Sequence, residues 1–314
     1  MSASVSIGEP KSGREKTALI LAGPTASGKS ALGIEIANQT GGTIINADAS
    51  QIYADLTLLT ARPEADDLAA APHRLYGVLP ATDPCDAQRW RELAVAALEQ
   101  TEGLPILVGG TGLYIRALMQ GFSDMPEVSA EVRAEATARR KAIGPEVFHA
   151  EVAAFDPEAA ARLPVGDTQR LIRAWEVFKA SGEPISSWMK RPRSGPPAGW
   201  RFVTAVVEPT RTMLHERINR RFDLMMGKGA LEEARSVAHL DPALPLMKAL
   251  GVPELLAYLR SEIDLAAAVE QAKASSRQYA KRQSTWFRHQ LPDALRIDPQ
   301  ESVAGLRKIF ATLA

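Results

Sequence analysis

The sequence lacks the features of disulfide-bonded, zinc-stabilised and membrane-spanning proteins. Cys85 is the single cysteine in 314 residues, which excludes an internal disulfide and a cysteine-rich zinc site. No apolar run approaches the roughly 20 residues of a membrane-spanning helix, so we expect no membrane partner. Residues 1–16 are polar without an apolar centre, and we expect a disordered tail rather than a signal peptide. These absences favour a cytoplasmic protein.

An excess of charge is also missing. Lysine plus arginine total 37, and aspartate plus glutamate total 37, so the net charge is zero with neutral histidine. The total charge therefore neither favours nor excludes a nucleic-acid partner, and any basic surface must be local. Apolar residues make up 46% of the chain, which is typical of a globular protein with a substantial core.

Strand and helix patterns alternate in the first third of the chain. Short apolar runs predict buried strands at 17–24, 43–48 and 104–110. Patterns with helical spacing follow at 30–39, 86–103 and 111–121. Such alternation predicts an α/β fold, in which helices cover both faces of a parallel sheet.

The pattern changes after residue 121. Helical patterns without a convincing strand fill 122–190, and a stretch rich in proline and glycine follows at 190–199. A strand pattern returns at 201–209, and helical patterns close the chain, including a long one at 266–290. We therefore predict four segments, which are the tail at 1–16, the first part of the core at 17–121, a helical insertion at 122–196, and the second part of the core with C-terminal helices at 197–314.

Residues 23–30, GPTASGKS, fit the pattern G-x-x-x-x-G-K-S/T of a phosphate-binding loop. A strand pattern precedes the loop and a helix pattern follows it, as this motif requires. Glycines let the backbone N–H groups turn towards phosphate oxygens, and the helix N-terminus adds partial positive charge. Lys29 adds a full charge, and the Ser30 hydroxyl can bind Mg²⁺. The candidate diphosphate- or nucleotide-binding residues, typical of ATP-binding proteins, are Gly23, Pro24, Thr25, Ala26, Ser27, Gly28, Lys29 and Ser30.

Asp48 is the best-placed acid of the predicted core. A working ATPase usually has a second acid after a later strand, but the strand at 104–110 continues into Thr111 and Gly112 without a carboxylate. Glu208 follows another predicted strand, but it could equally begin a helix. Three roles stay open for Asp48 at this point, which are a Mg²⁺ ligand in a kinase-like site, a general base, and the cap of a turn.

Several segments together resemble the bacterial tRNA dimethylallyltransferases, also called tRNA isopentenyltransferases. The resemblance extends from about residue 17 to about residue 290, in GPTASGKS (23–30), INADASQIY (45–53), RPEADDLAAAPHRL (62–75), LPILVGGTGLY (104–114), DTQRLIRAWEVF (167–178), RINRRF (217–222) and RQYAKRQSTWFR (277–288). It implies a P-loop NTPase-like core with a helical insertion that binds tRNA. It also implies that, with Mg²⁺, a dimethylallyl group moves from dimethylallyl diphosphate to the exocyclic amine of the adenosine just 3′ of the anticodon.

The resemblance further implies roles for individual residues. Asp48 would be the base that accepts a proton from the adenine amine, while Thr25 and Arg217 would act at the diphosphate. The residues that it places at the tRNA are Asp48, Ala49, Ser50, Gln51, Thr111, Arg133, Thr168, Gln169, Arg170 and Lys248. Two departures from the family pattern stand out, because Ala49 replaces a usual serine and Val252-Pro253 replaces a usual Tyr-Arg or Tyr-Lys pair.

The predicted C-terminal helix carries basic residues at four-residue steps. Lys273, Arg277 and Lys281 share one face, and no acid occurs between Gln271 and Gln290. We expect Arg277 and Lys281 to contact phosphates of RNA or of the diphosphate. We expect the aromatic residues of the same helix to be buried rather than stacked on bases, and these are Tyr279, Trp286 and Phe287.

Three alternative functions compete with tRNA prenylation. A P-loop small-molecule kinase would explain the loop and Asp48, but not the insertion or the basic helix. An isopentenyltransferase that acts on free adenine nucleotides needs no large insertion, and an RNA-binding module without activity needs neither Lys29 nor Asp48. The expected partners are therefore dimethylallyl diphosphate and the anticodon stem-loop of tRNA, and we expect a monomer.

Overall fold

The structure is a computed structural model that describes residues 15–313 of the chain. Residues 1–14 of the predicted tail lie outside the described residues, and the first strand already begins at Lys16, within the range predicted as tail. Contacts divide the chain into two compact units. The first unit comprises the residues up to Met119 and those from Pro196 onward, and the second comprises Gln120–Gly195.

The first unit is built on a six-stranded parallel sheet with the strand order β3-β2-β4-β1-β5-β6. The strands are β1 (Lys16–Ala22), β2 (Thr43–Asn46), β3 (His73–Arg74), β4 (Pro105–Gly109), β5 (Trp200–Val207) and β6 (Leu295–Ile297). In the centre of the sheet, Leu19 of β1 pairs with Ile106 on one side and Val203 on the other. Residues 18–22 of β1 and all of β4 are buried, as expected where helices cover both faces of a parallel sheet. The α/β prediction is thus confirmed.

Helices connect the strands and form the second unit. In chain order they are α1 (Lys29–Thr40), α2 (Ala65–Ala70), α3 (Ala87–Glu99), α4 (Gly112–Gln120), α5 (Ala130–Ile143), α6 (Pro145–Phe155), α7 (Pro157–Arg162), α8 (Thr168–Ser181), α9 (Ile185–Met189), α10 (Arg211–Gly227), α11 (Ala230–Ser236), α12 (Val252–Leu259), α13 (Leu265–Gln290) and α14 (Ser302–Leu313). Within residues 15–313, no helix has the length and apolar character needed to span a membrane.

The second predicted strand starts at the correct residue but extends two residues too far. Strand β2 ends at Asn46, whereas the prediction extended it to Asp48. The Asn46 side chain explains the early end, since its Oδ1 accepts a hydrogen bond from Asp48 N at 2.8 Å and its Nδ2 donates to Asp48 O at 3.0 Å. These two bonds curl the chain into a turn. Asp48 therefore projects from a loop at the carboxyl end of β2.

The second unit is helical, as the pattern of its sequence predicts. Helices α5 to α9 enclose an apolar core that includes Phe148, Leu171 and Trp175. The buried carboxylate of Asp156 joins two helix starts, because Oδ1 accepts from Ala159 N at 2.9 Å and Oδ2 accepts from Ser186 N at 3.0 Å. Asp156 thus caps α7 and also holds the first turn of α9.

Candidate active site

The phosphate loop connects β1 to α1 at the carboxyl edge of the sheet. Ala26 and Gly28 both have left-handed backbone angles, with φ of 62° and 96°. Ser27 lies between them, is fully buried, and donates its N–H to Pro24 O at 3.2 Å. Such a loop forms a concave row of backbone N–H groups ahead of a helix N-terminus, which is a suitable site for an anion.

Lys29 is the first residue of α1 and is half-buried. Its Nζ donates to Pro24 O at 3.4 Å. The pKa of Lys29 is lowered to about 8, mainly by burial, while the carboxylate of Asp48 raises it and the charge of Arg221 contributes to the lowering. The ammonium group therefore lacks sufficient counter-charge, and a bound diphosphate would supply it.

Two arginines of α10 reach the same loop. Arg217 Nη1 donates to Ser27 O at 3.1 Å, and Arg221 Nη2 donates to Thr25 Oγ1. Burial lowers the pKa of Arg221, and the charge of Asp48 partly compensates. Sequence reasoning selected Arg217 and overlooked Arg221, although the spacing of four residues places both on one face of a helix.

Asp48 caps its own turn with one oxygen only. Its Oδ1 accepts hydrogen bonds from Ser50 N at 3.1 Å and from Ser50 Oγ at 2.8 Å. No hydrogen bond within the described part of the chain, residues 15–313, reaches Oδ2. The carboxylate of Asp48 is close enough to raise the pKa of both Lys29 and Arg221 against the effect of burial. The cap and the chemical role are therefore compatible, because each can use a different oxygen.

The turn after β4 supports the loop that carries Asp48. Thr111 Oγ1 accepts a hydrogen bond from Ala49 N at 2.9 Å, and Thr111 N donates to Ala47 O at 3.2 Å. The sequence predicted that Thr111 is a site residue, and the structure shows that it contacts the Asp48 loop. Gln51, another predicted site residue, is half-buried. Its Nε2 donates hydrogen bonds to Thr60 O at 2.9 Å and to Ala61 O at 2.7 Å.

Helix α13 contributes two residues that the sequence reasoning did not select for the site. Gln283 is buried and bonds both to the phosphate loop and to the turn after β4. Tyr279 lies one helical turn earlier. The pKa of its hydroxyl is raised, mainly by burial and to a smaller extent by the nearby charge of Asp48. Both residues belong to the segment RQYAKRQSTWFR, so the signal was present, but the sequence could not show which side of the helix faces the site.

The three basic residues predicted to share one face of α13 differ in their surroundings. Lys273 is buried, and its Nζ forms ion pairs with Asp223 at 2.7 Å and Glu270 at 3.2 Å. Arg277 donates to Asn219 Oδ1 at 2.6 Å. Lys281 is exposed and lines a groove of about 550 Å³ along the outer side of α13. Only the C-terminal half of this helix thus offers exposed cations.

The predicted burial of the aromatic residues holds in part. Phe287 is buried, whereas Tyr279 and Trp286 are half-buried. Lys248, also in the first unit, is exposed at the end of a short 3-10 helix, Pro245–Lys248.

Four predicted tRNA-binding residues lie in the second unit. Arg133 is exposed on α5. Thr168, Gln169 and Arg170 form the first turn of α8, where Arg170 makes an ion pair with Asp167 at 3.1 Å. Arg173, three residues further along α8, pairs with Glu176 at 3.2 Å, so both arginines form ion pairs within the second unit.

The donor set around the phosphate loop suits a metal ion that is held mainly by a ligand. Residues 15–313 contain no group of three or more His, Cys, Asp or Glu side chains that could hold a metal ion. Ser30 is exposed in the first turn of α1, next to Lys29. Mg²⁺ commonly keeps several waters and takes its remaining ligands from substrate phosphates and few protein groups, and a single hydroxyl fits this arrangement.

Comparison with known proteins identifies the family. The family model described as IPP transferase matches residues 51–290. The chain belongs to the IPP transferase family. Because the match begins at residue 51, it does not include the phosphate loop or Asp48.

Curated relatives and a solved structure agree with this family. A tRNA dimethylallyltransferase of Rhodospirillum centenum is 51% identical over 290 residues, which cover 91% of this chain and 92% of the relative. A tRNA dimethylallyltransferase of Granulibacter bethesdensis is 48% identical over 281 residues, or 88% of each chain. The crystal structure of a tRNA delta(2)-isopentenylpyrophosphate transferase from Staphylococcus epidermidis is 27% identical, with a TM-score of 0.67 over 95% of this chain and 98% of that chain. The predicted family, the predicted P-loop NTPase-like fold and the assignment as a transferase are confirmed.

Proposed function

We propose that the protein transfers a dimethylallyl group from dimethylallyl diphosphate to the exocyclic amine of the adenosine on the 3′ side of the tRNA anticodon and releases diphosphate. The observation that carries this proposal is that the carboxylate of Asp48 lies beside a loop to which Lys29, Arg217 and Arg221 all converge. The names of the curated relatives support tRNA as the acceptor.

The cationic loop would stabilise the leaving diphosphate. Negative charge grows on the leaving oxygens as the allylic C–O bond breaks, and fixed donors stabilise that charge without reorganisation. The backbone of residues 23–30, Lys29 and Arg217 would supply these donors. The contacts of Arg217 with Ser27 O and of Arg221 with Thr25 Oγ1 support this assignment. Mg²⁺, held in part by Ser30, would neutralise further charge on the diphosphate. The same groups would suit the phosphates of ATP.

Asp48 would accept the proton that the adenine amine loses. The amine is a weak nucleophile because its lone pair is delocalised into the ring, so removal of a proton assists formation of the new N–C bond. Ser50 fixes Oδ1 of Asp48, and Oδ2 is left for the amine. In this reaction one N–C bond forms and one C–O bond breaks, diphosphate leaves, and the proton of the amine passes to the carboxylate.

The tRNA would contact several surfaces of the chain. A base that reacts at its exocyclic amine has to leave its stack, and Ala49, Ser50, Gln51 and Thr111 border Asp48, where it would arrive. Contacts to the backbone of the anticodon stem-loop would come from Lys248, Arg277 and Lys281, and from residues of the helical insertion at 122–196, which are Arg133, Thr168, Gln169 and Arg170. We place this reaction in the cytoplasm and assign it to a monomer.

Incubation with labelled dimethylallyl diphosphate, Mg²⁺ and unmodified tRNA tests the proposal. We expect label in tRNA, and none when AMP replaces tRNA. Label in AMP but not in tRNA would support an enzyme for free nucleotides instead. Transfer of phosphate from ATP to a small molecule, with no incorporation of label, would support the kinase alternative.

A further inference from the structure

Gln283 connects the two loops that the proposed reaction depends on. It lies in α13 and is 5% exposed. Its Oε1 accepts a hydrogen bond from Thr25 N at 2.8 Å, and its Nε2 donates to Gly110 O at 2.8 Å. Because a backbone N–H can only donate and a carbonyl oxygen can only accept, these partners fix the orientation of the amide.

Gly110 leaves the space that the Gln283 amide occupies. A Cβ added at Gly110 would lie 2.1 Å from Gln283 Nε2. The next residue is Thr111, whose Oγ1 accepts a hydrogen bond from Ala49 N beside Asp48. A continuous set of contacts therefore extends from Thr25 of the phosphate loop, through Gln283, to the loop that carries the proposed base.

A second contact between α13 and the phosphate loop lies one turn away. Ala280 is buried in a cluster with Leu214 and Ile218 of α10, and Ala26 of the phosphate loop packs against that cluster. Apolar packing thus places α13 against the loop, while the Gln283 amide sets the position of the loop along the helix. Gly110 O and Thr25 N gain partners that water would otherwise supply.

We propose that Gln283 is a positioning residue, which fixes the separation between the diphosphate loop and the Asp48 loop. The proposal rests on the proposed function, because the separation matters only if the allylic carbon must meet the amine between these two loops. Gln283 acts through Thr25 and through the turn at Gly110 and Thr111. Misplacement of reacting groups by about 1 Å can cost on the order of 10²-fold in rate.

Two substitutions separate positioning from simple packing. Gln283→Met keeps the length and the apolar volume but removes both hydrogen bonds. Gln283→Glu keeps the shape and the acceptor, but its ionised carboxylate cannot donate to Gly110 O and would repel that carbonyl. When the introduced carboxyl group is protonated, it can donate again. Gln271→Met and Gln271→Glu are matched controls, since Gln271 is exposed on the same helix.

The measurements are kcat and KM for dimethylallyl diphosphate, tRNA affinity, thermal stability, and hydrogen exchange of the peptide that contains residues 23–30. We expect Gln283→Met to lower kcat by about 10-fold or more, to leave tRNA affinity unchanged, and to accelerate exchange in that peptide. For Gln283→Glu, assayed well below its melting temperature at every pH, we expect kcat relative to the unsubstituted protein to rise as pH falls.

The proposal is overturned if both Gln283 variants match the Gln271 controls in kcat and in hydrogen exchange. It is also overturned if kcat is lost only at temperatures at which the variant begins to unfold. Should Gln283→Met fail to fold, the pH dependence of Gln283→Glu decides. If the unsubstituted protein does not prenylate tRNA, the proposed function fails, and exchange in residues 23–30 then decides whether Gln283 positions the loop.

Discussion

Ser50 donates two hydrogen bonds to a single oxygen of Asp48, from N at 3.1 Å and from Oγ at 2.8 Å. These two bonds hold the carboxylate in one orientation. They leave its second oxygen, Oδ2, available to accept a proton from the substrate. In the family that the sequence resembles, a serine usually follows the aspartate directly. This chain has Ala49 at that position. Here Ser50 supplies the hydroxyl, and the N–H of Ala49 is bound by Thr111.

Asp48→Asn should abolish most of the activity and leave the loop folded. The amide oxygen can still accept both bonds from Ser50, but the amide cannot take a proton from the adenine amine. We expect kcat to fall by roughly 10² or more, with tRNA affinity unchanged in a binding assay. Ser50→Ala is the control for orientation, and it should lower kcat less. Near-normal turnover by Asp48→Asn would remove Asp48 from the role of base.

Arg221→Ala should weaken the use of dimethylallyl diphosphate. The guanidinium group bonds to Thr25 Oγ1 and stands close enough to Asp48 and Lys29 to affect their electrostatics. We expect a higher KM for dimethylallyl diphosphate and a lower kcat, by about 10-fold in kcat/KM or more. Arg220→Ala is a matched control, because Arg220 is the preceding residue and is exposed. Equal kinetics for the two variants would make Arg221 a structural arginine.

Diphosphate binding should weaken as pH rises above the pKa of Lys29, which burial lowers to about 8. The protonated form binds the anion better, so the dissociation constant should be lowest below that pH and should increase through it. An anion bound beside Lys29 raises its pKa, so binding near pH 8 should take up a proton, which calorimetry in buffers of different ionisation enthalpy detects.

Lys29→Arg provides the test of that assignment. A guanidinium group stays charged across this pH range, so the variant should lose the increase in dissociation constant between neutral and alkaline pH. If the variant and the unsubstituted protein show the same pH dependence, another group is responsible for it.

Asp156→Ala should destabilise the second unit. The substitution leaves Ala159 N and Ser186 N without their acceptor in a buried site. Loss of a helix cap together with a second buried hydrogen bond should cost about 2 to 4 kcal/mol in the free energy of unfolding. Glu146→Ala, at an exposed position in α6, should change stability little. Chemical denaturation measures both, and equal midpoints would contradict the capping role.

The sequence predicted those parts of the molecule that depend on neighbouring residues. The phosphate loop, the alternation of strands and helices, and the helical second unit all follow from local patterns. Asn46 shows where this stops, because the end of β2 depends on side-chain bonds to Asp48 that hydrophobic alternation does not reveal. Strands β3 and β6, with two and three residues, are too short to leave a pattern.

Long-range partners account for the residues that the sequence reasoning misjudged. Thr25 is 196 positions from Arg221 and 258 positions from Gln283, so only the folded chain brings them together. The sequence suggested that Lys273 is part of a basic face, because no acidic residue occurs between Gln271 and Gln290 of the same helix. Its main partner, Asp223, lies on α10.

The position of β1 in the sheet also has a consequence for the order of folding. Residues 16–22 pair with 200–206, and the whole second unit is encoded between these two stretches. During synthesis, the ribosome must therefore release the second unit before the central strand can meet its partner β5. Local helical contacts form faster than such distant pairings, so the inserted helices should reach a compact state before β1 pairs with β5.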